Sequence, residues 1–212
     1  MSEHTGKDFP DWENLYKSQS VETMPRYNEN FDSDLEMELD ERKIIANEGK
    51  KFLDLGTGPA TQAIWFAKRG LNVVGSDLSE AVINRARKIY DSEKNVNFIV
   101  DDILNTKLES NEFDYVFDRG CFHVLVPRDR KEYINEIKQI LKDNGILFLK
   151  CFSDKEPMQE GPYKFSQDEI RDLFSESFRI DSIKETVYQG TLDPFPKAFF
   201  VVMINRQRIV SE

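Results

Sequence analysis

From residue 50 onward the chain alternates short apolar runs with amphipathic stretches. The first run, Phe52, Leu53 and Leu55, carries a lone Asp54 and breaks into Gly56-Thr57-Gly58-Pro59-Ala60. Helical periodicity resumes at Ala63, Ile64, Phe66 and Ala67. That order predicts a buried parallel strand, a tight glycine turn and a helix. A second strand ends in Val73-Val74-Gly75-Ser76-Asp77, a third in Asn97-Phe98-Ile99-Val100-Asp101-Asp102, and a fourth in Phe113-Asp114-Tyr115-Val116-Phe117-Asp118. Ser79 is placed to cap a helix with Val82, Ile83, Ala86, Ile89 and Tyr90 on one stripe. A longer helix is expected from about Asp129 to Lys142, with Asp143-Asn144-Gly145 as its left-handed end and strand Ile146–Leu149 following at once. Ser166 and Glu169 predict a capping box on a helix ending near Phe174. Phe178–Val187 and Ala198–Asn205 read as strands. Ahead of all this, residues 11–17 and 33–46 read as helices, the second with Leu35, Leu39, Ile44 and Ile45 on related faces.

Charge changes the picture at the N-terminus. The net charge of the 212 residues is −10, and residues 1–41 hold twelve acids against three bases. The remainder is close to neutral. We expect an acidic helical extension over residues 1–48 and a ligand-binding domain over 49–212. Trp12, Tyr16, Met24, Pro25 and Tyr27 are apolar for a solvated tail, which suggests a lid. An acidic arm is repelled by phosphate backbones and argues against nucleic-acid partners. No apolar run is long enough to span a bilayer, and the N-terminus has no apolar signal core. Two cysteines, Cys121 and Cys151, make no disulfide framework, so a reducing cytoplasm is the expected location.

The glycine turn carries the chemistry. Gly56 and Gly58 permit positive φ and close approach of a ligand to the backbone, with Thr57 between them. A helix N-terminus there favours electron-rich groups. Asp77, followed by Leu78 at the end of the second strand, suits the two hydroxyls of a ribose. Together these imply a nucleoside-containing cofactor. A dinucleotide fingerprint requires glycine where Thr61 stands, and Asp54 two residues before the first glycine suits an ammonium group better than a pyrophosphate.

The pattern h-h-D-h-G-x-G-x-[GA], with Ala60 in the last place, resembles the first motif of class I S-adenosylmethionine-dependent methyltransferases. The resemblance covers roughly residues 50–205. It implies a Rossmann-like seven-stranded α/β sheet, mostly parallel, with an antiparallel C-terminal hairpin and helices on both faces. It also implies S-adenosyl-L-methionine as cofactor. Asp102 with Ile103 would meet the adenine, Asp101 being the other candidate, and Asp118 with Arg119 would lie beside the methionine end. The segment Asp118-Arg119-Gly120-Cys121-Phe122-His123 resembles the thiopurine, thiol and tellurite-type small-molecule branch.

His123 is one of two histidines and a candidate general base. Cys121 and Phe122 are candidates for contact with a soft acceptor, and Phe152 and Tyr163 for a substrate wall. Trp12, Tyr16 and Tyr27 would close over the methyl group. Arg119 is a candidate for an acidic ligand or for pairing with Asp118 or another neighbouring carboxylate. No metal site is expected, since the zinc spacings are absent. Also absent are an N-P-P-Y or D-P-P-Y segment after strand four and a Pro-Cys nucleophile pair. Three readings remain open: a small-molecule methyltransferase, a protein lysine methyltransferase whose acidic arm would suit a basic target, and a non-catalytic or NAD-type nucleotide-binding protein.

Overall fold

Strands that are apolar at nearly every position must be covered on both faces, and this sheet is. The computed structural model describes residues 11–24, 27–44 and 49–206. Pro25, Ile45 and the boundary at residue 48 lie outside the described residues. Two helices lead the chain, α1 (Trp12–Ser18) and α2 (Ser33–Glu41). Then come β1 (Lys51–Leu55), α3 (Thr61–Lys68), β2 (Asn72–Asp77), α4 (Glu80–Ile89) and β3 (Val96–Val100). The second half is β4 (Phe113–Asp118), α5 (Arg130–Ile140), β5 (Leu141–Ser153), β6 (Lys164–Phe165), α6 (Gln167–Phe174), β7 (Phe178–Val187) and β8 (Lys197–Asn205).

The sheet order is β3-β2-β1-β4-β5-β8-β7, with the two-residue β6 added beside β5 as an eighth strand. β1 to β5 are parallel, and β8 runs antiparallel to both β5 and β7. The C-terminal pair therefore completes the sheet as expected.

Alternation along each strand sorts side chains between two cores. Phe52, Phe117, Phe148, Phe200 and Val202 face one way, onto α2, α3 and α4. Leu53, Val116, Leu147, Leu149 and Val201 face the other way, onto α5 and α6. The chain leaves β1 toward β2 and β3 on one side and later returns to place β4 on the other. Ligands bind at the carboxyl ends of the strands at such a switch point.

Three local expectations are corrected. The helix starting at residue 33 stops at Glu41, because Lys43 turns left-handed (φ 53°) and the Ile44 N–H closes back onto the Leu39 carbonyl at 2.9 Å. That closure is a Schellman stop without its usual glycine. α5 ends at Ile140, and its last carbonyls are taken by the N–H groups of Asn111 and Glu112. Leu141 already pairs with Phe113, and Tyr115 next pairs with Ile146, so 142–145 form a bulge in β5 instead of a helix cap. Finally, the second helix of the extension does not stand apart from the domain. Leu35 and Leu39 are buried in the core beside Phe66 and Phe200, so α2 is part of the domain's packing.

Candidate active site

A cavity of about 830 Å³ opens where β1, β2, β3 and β4 end. That lies within the range of roughly 300–1,000 Å³ common for small-molecule sites. Its floor is the glycine turn. Gly56 and Gly58 hold φ of 67° and 50°. Ala60, in the third glycine's place, also turns left-handed at φ 66° and begins α3 without a side-chain cap. Asp54 supplies the cap from the strand below: its Oδ2 accepts from the Ala63 N–H at 3.1 Å and from the Thr57 hydroxyl at 2.6 Å. Burial pushes the Asp54 carboxyl up to about 7, against the pull of those hydrogen bonds and of Arg119.

Asp77 ties the two loops of this wall together. It accepts from the Gly58 N–H at 3.1 Å and from the Ser79 N–H at 3.0 Å. Burial pushes its carboxyl up to about 6. Asp101 is spoken for by its own loop, accepting from the Thr106 hydroxyl at 2.5 Å and the Lys107 N–H at 2.9 Å. Asp102 accepts from the Leu104 N–H at 3.0 Å. Both carboxylates, with Leu78 and Ile103, line the cavity.

The roof is the N-terminal arm. Trp12, Tyr16, Met24 and Tyr27 all face the cavity. The Tyr16 hydroxyl lies 3.2 Å from where a Cβ on Gly58 would stand. Glu13, which the sequence did not single out, fastens α1 to the start of α4. Its carboxylate accepts from the Ser79 hydroxyl at 2.6 Å and the Ala81 N–H at 3.1 Å. The Ser79 bond, the Lys17 pair and the Ala81 bond hold its pKa down at about 2.

The segment after β4 divides between the cavity and the core. Arg119, Gly120 and Cys121 line the cavity, and the Cys121 sulfur sits 2.3 Å from where a Cβ on Gly56 would stand. Burial raises the Cys121 thiol well above its usual range, so it is not a thiolate. Asp118 is corrected from a cofactor contact to an organiser of the turn. Fully buried, it accepts from the N–H groups of Gly120, Cys121 and Phe122 at 2.7–2.9 Å and from the Tyr133 hydroxyl at 2.6 Å. Arg119 pairs with Asp32 at 3.1 Å, not with Asp118.

Four substrate-side expectations are also corrected, because these residues do not line the cavity. Phe122 packs among Tyr133, Phe165 and Phe174 in the core. His123 is buried behind Gly120, edge-on to Phe152 (5.1 Å) and stacked on Tyr188 (5.5 Å). Phe152 closes the same aromatic cluster. Tyr163 lies against the Arg130 guanidinium at 4.7 Å. The cavity takes Val124, Leu125 and Tyr188 in their place. Tyr188 stands at the end of an exposed-looking strand, and no local sequence signal marks it.

Among the described residues, no group of His, Cys, Asp and Glu is placed to hold a metal ion, and no helix is long and apolar enough to cross a membrane.

A left-handed glycine turn, a buried acid at each of the first two strand ends and this sheet order together describe a known arrangement. The methyltransferase domain family matches residues 52–145. An uncharacterized methyltransferase of Schizosaccharomyces pombe is 37% identical over 103 residues, 48% of this chain and 71% of that one. The EEF1A lysine methyltransferase 2 of Danio rerio is 30% identical over 65% of this chain and 63% of its own length. The 2-heptyl-1-hydroxyquinolin-4(1H)-one methyltransferase of Mycobacteroides abscessus is 31% identical over 68% of this chain and 65% of its own. Among solved structures, one concerned with converting a disulfide bond into a thioacetal group during echinomycin biosynthesis superposes with a TM-score of 0.76. It is 22% identical and covers 92% of both chains. The chain belongs to the class I S-adenosylmethionine-dependent methyltransferases. Its cofactor is S-adenosyl-L-methionine, and the cavity is lined by two buried acids, Asp54 and Asp77, whose charge is of the sign that suits a cationic, hydroxyl-bearing ligand.

Proposed function

We propose that this methyltransferase carries a methyl group to a small-molecule acceptor by in-line displacement. The observation that supports this most directly is the roof. The cavity is walled by the chain's own Trp12, Tyr16, Met24 and Tyr27, opposite Val124, Leu125 and Tyr188. Such an enclosure suits a free apolar molecule better than a lysine tethered to a folded protein.

When bound, the cofactor supplies a methyl group already activated on a sulfonium. The protein's work is then positioning and exclusion of water. Gly56, Thr57 and Gly58 give the methionine end its floor, and Asp54 neutralises the ammonium. Asp77 holds the ribose hydroxyls, with Leu78 against the base. Asp102 and Ile103 meet the adenine edge, while Asp101 keeps their loop in shape. Trp12, Tyr16 and Tyr27 cover the methyl group, and Cys121 stands beside it. His123 takes no proton in this scheme, so the acceptor is one that needs no base from the protein, such as a thiol that ionises in solution or another soft nucleophile.

The test is a turnover screen measuring S-adenosylhomocysteine release. The arms are thiols, amines, phenols, soft inorganic anions and a basic-protein extract. Turnover with a thiol or soft anion is the expected result. Methyl label appearing only in protein would overturn the reading and favour the lysine-directed function named for the Danio rerio relative.

Residues 11–24, with Tyr27, are the lid in this reading, closing on cofactor binding. Hydrogen exchange in 11–24 should slow when S-adenosylhomocysteine is added. Deleting residues 1–28 should reduce turnover far more than thermal stability. Unchanged exchange with saturating ligand would rule out a cofactor-dependent lid.

A further inference from the structure

The charge lining the cavity is lopsided. Of the described residues around it, seven are aspartate or glutamate and one, Arg119, is a cation. The amino-acid end of the cofactor carries an ammonium and a carboxylate on the same carbon. The acidic lining suits the first and repels the second. Arg119 and Asp54 both line this cavity, so it offers both partners that a zwitterion needs.

Arg119 is also held unusually firmly. Its Nε donates to Asp32 at 3.1 Å and its Nη2 to the Gln189 carbonyl at 2.5 Å. The guanidinium lies 4.5 Å over the Tyr188 ring, whose hydroxyl donates to the Arg119 carbonyl at 2.5 Å. Behind it, Lys150 Nζ donates to the same Asp32 oxygen at 2.8 Å, to Asp34 at 2.6 Å and to Gln189 Oε1 at 2.6 Å. Lys150 and Asp32 are both fully buried. A buried ion network adds little net stability over apolar residues of the same volume. Its distinctive effect here is to fix the direction of one guanidinium.

We propose that Arg119 receives the α-carboxylate of the cofactor and that Lys150, Asp32 and Tyr188 are positioning residues that hold its guanidinium at the cavity wall. The proposal rests on this cavity being the S-adenosylmethionine site. Asp32 is also the N-cap of α2, accepting from the Asp34 N–H at 3.1 Å. The same residue that seats the N-terminal helix thus aims the carboxylate receptor.

The test is titration calorimetry on the full chain with three ligands: S-adenosylhomocysteine, its decarboxylated analogue and 5′-methylthioadenosine, which lacks the whole amino-acid end. The natural chain should prefer S-adenosylhomocysteine over the decarboxylated analogue by roughly ten- to a hundredfold, the scale of a charge-assisted pair. Arg119→Met should erase that preference while leaving the analogue's affinity within about threefold. Lys150→Met and Asp32→Asn should cut the preference by roughly three- to tenfold, again sparing the analogue. Tyr188→Phe keeps the ring and removes one hydroxyl, so it carries the same test if a buried-charge variant does not fold. Equal losses for the ligands with and without a carboxylate would show a merely structural network and overturn the positioning role. A natural chain without the preference would overturn the Arg119 assignment. A natural chain that binds none of the three would overturn the cofactor site itself.

Discussion

Gly56→Val is expected to abolish detectable binding of S-adenosylhomocysteine while the sheet remains folded. Two independent effects act at this position. The backbone is left-handed at φ 67°, where a non-glycine residue costs roughly 1–2 kcal/mol and a β-branched one is a genuine outlier. In addition, the new Cβ would stand 2.3 Å from the Cys121 sulfur, far inside van der Waals contact. The Cys121 backbone is held, its N–H being one of three taken by the buried Asp118 carboxylate, so the thiol must swing about its own χ1 or the turn must lift, and either move disturbs the cavity wall that Gly56 and Cys121 share. The double variant Gly56→Val/Cys121→Ala removes the collision and leaves the backbone strain, so it should regain part of the affinity. Calorimetry and a circular-dichroism melt measure both halves. Wild-type affinity in the single variant would show that the turn does not form the cavity floor.

Asp77→Ala should weaken S-adenosylhomocysteine binding at least about tenfold, since two charge-assisted hydrogen bonds to a ribose are each worth roughly 1.5–3 kcal/mol. Asp77→Asn keeps an acceptor for one backbone N–H and loses the charge, so its loss should be smaller. The pH dependence has a definite sign. Burial has raised the free Asp77 carboxyl to about 6 and Asp54 to about 7. A ligand that needs the ionised forms must displace a proton below those values, so affinity should fall as pH drops from about 7 to 5. Stability moves the other way. The folded state binds these protons more tightly than the unfolded chain does, so their contribution to stability is greatest near pH 4 and declines as pH rises through 6 and 7. Opposite slopes for binding and for stability would be the signature. A flat affinity between pH 5 and 8 would remove both carboxylates from the cofactor's contacts.

Much of the domain was legible in the chain because its signals are short-range. The caps at Ser79 and at Ser166 with Glu169 formed as read, since each joins groups three residues apart. The buried strands followed from apolar runs, and the hairpin pairing of β7 with β8 followed from two such runs after α6. Even the cavity floor and its acidic wall were visible, because a left-handed turn demands glycine and a strand-end acid stands out in an apolar run.

The division after β4 was not visible. Cys121, Phe122 and His123 are consecutive, yet the first lines the cavity and the other two enter the core. In a tight 3₁₀ turn each step rotates the side chain by about 120°, so the outcome depends on where the turn begins. Asp118 sets that point by gathering three N–H groups, and its carboxylate is held there by the Tyr133 hydroxyl from α5. The loop at 152–165, expected as a substrate wall, shows the same limit, since Tyr163 and Phe165 answer to Arg130 and to the core.

Sequence alone therefore determined the elements, their order, the glycine floor and the acids at the strand ends, all consequences of local backbone preference and alternation. The tertiary structure decided which side chains meet across the chain. Lys150 in an apolar strand has no local partner, and its charge is balanced by Asp32 from 118 residues away. Glu13 caps a helix 66 residues ahead of it. Tyr188 reaches Arg119 across 69 residues. Such pairings have no sequence period to betray them. They exist because a buried charge or hydroxyl must find a partner wherever folding brings one within about 3 Å.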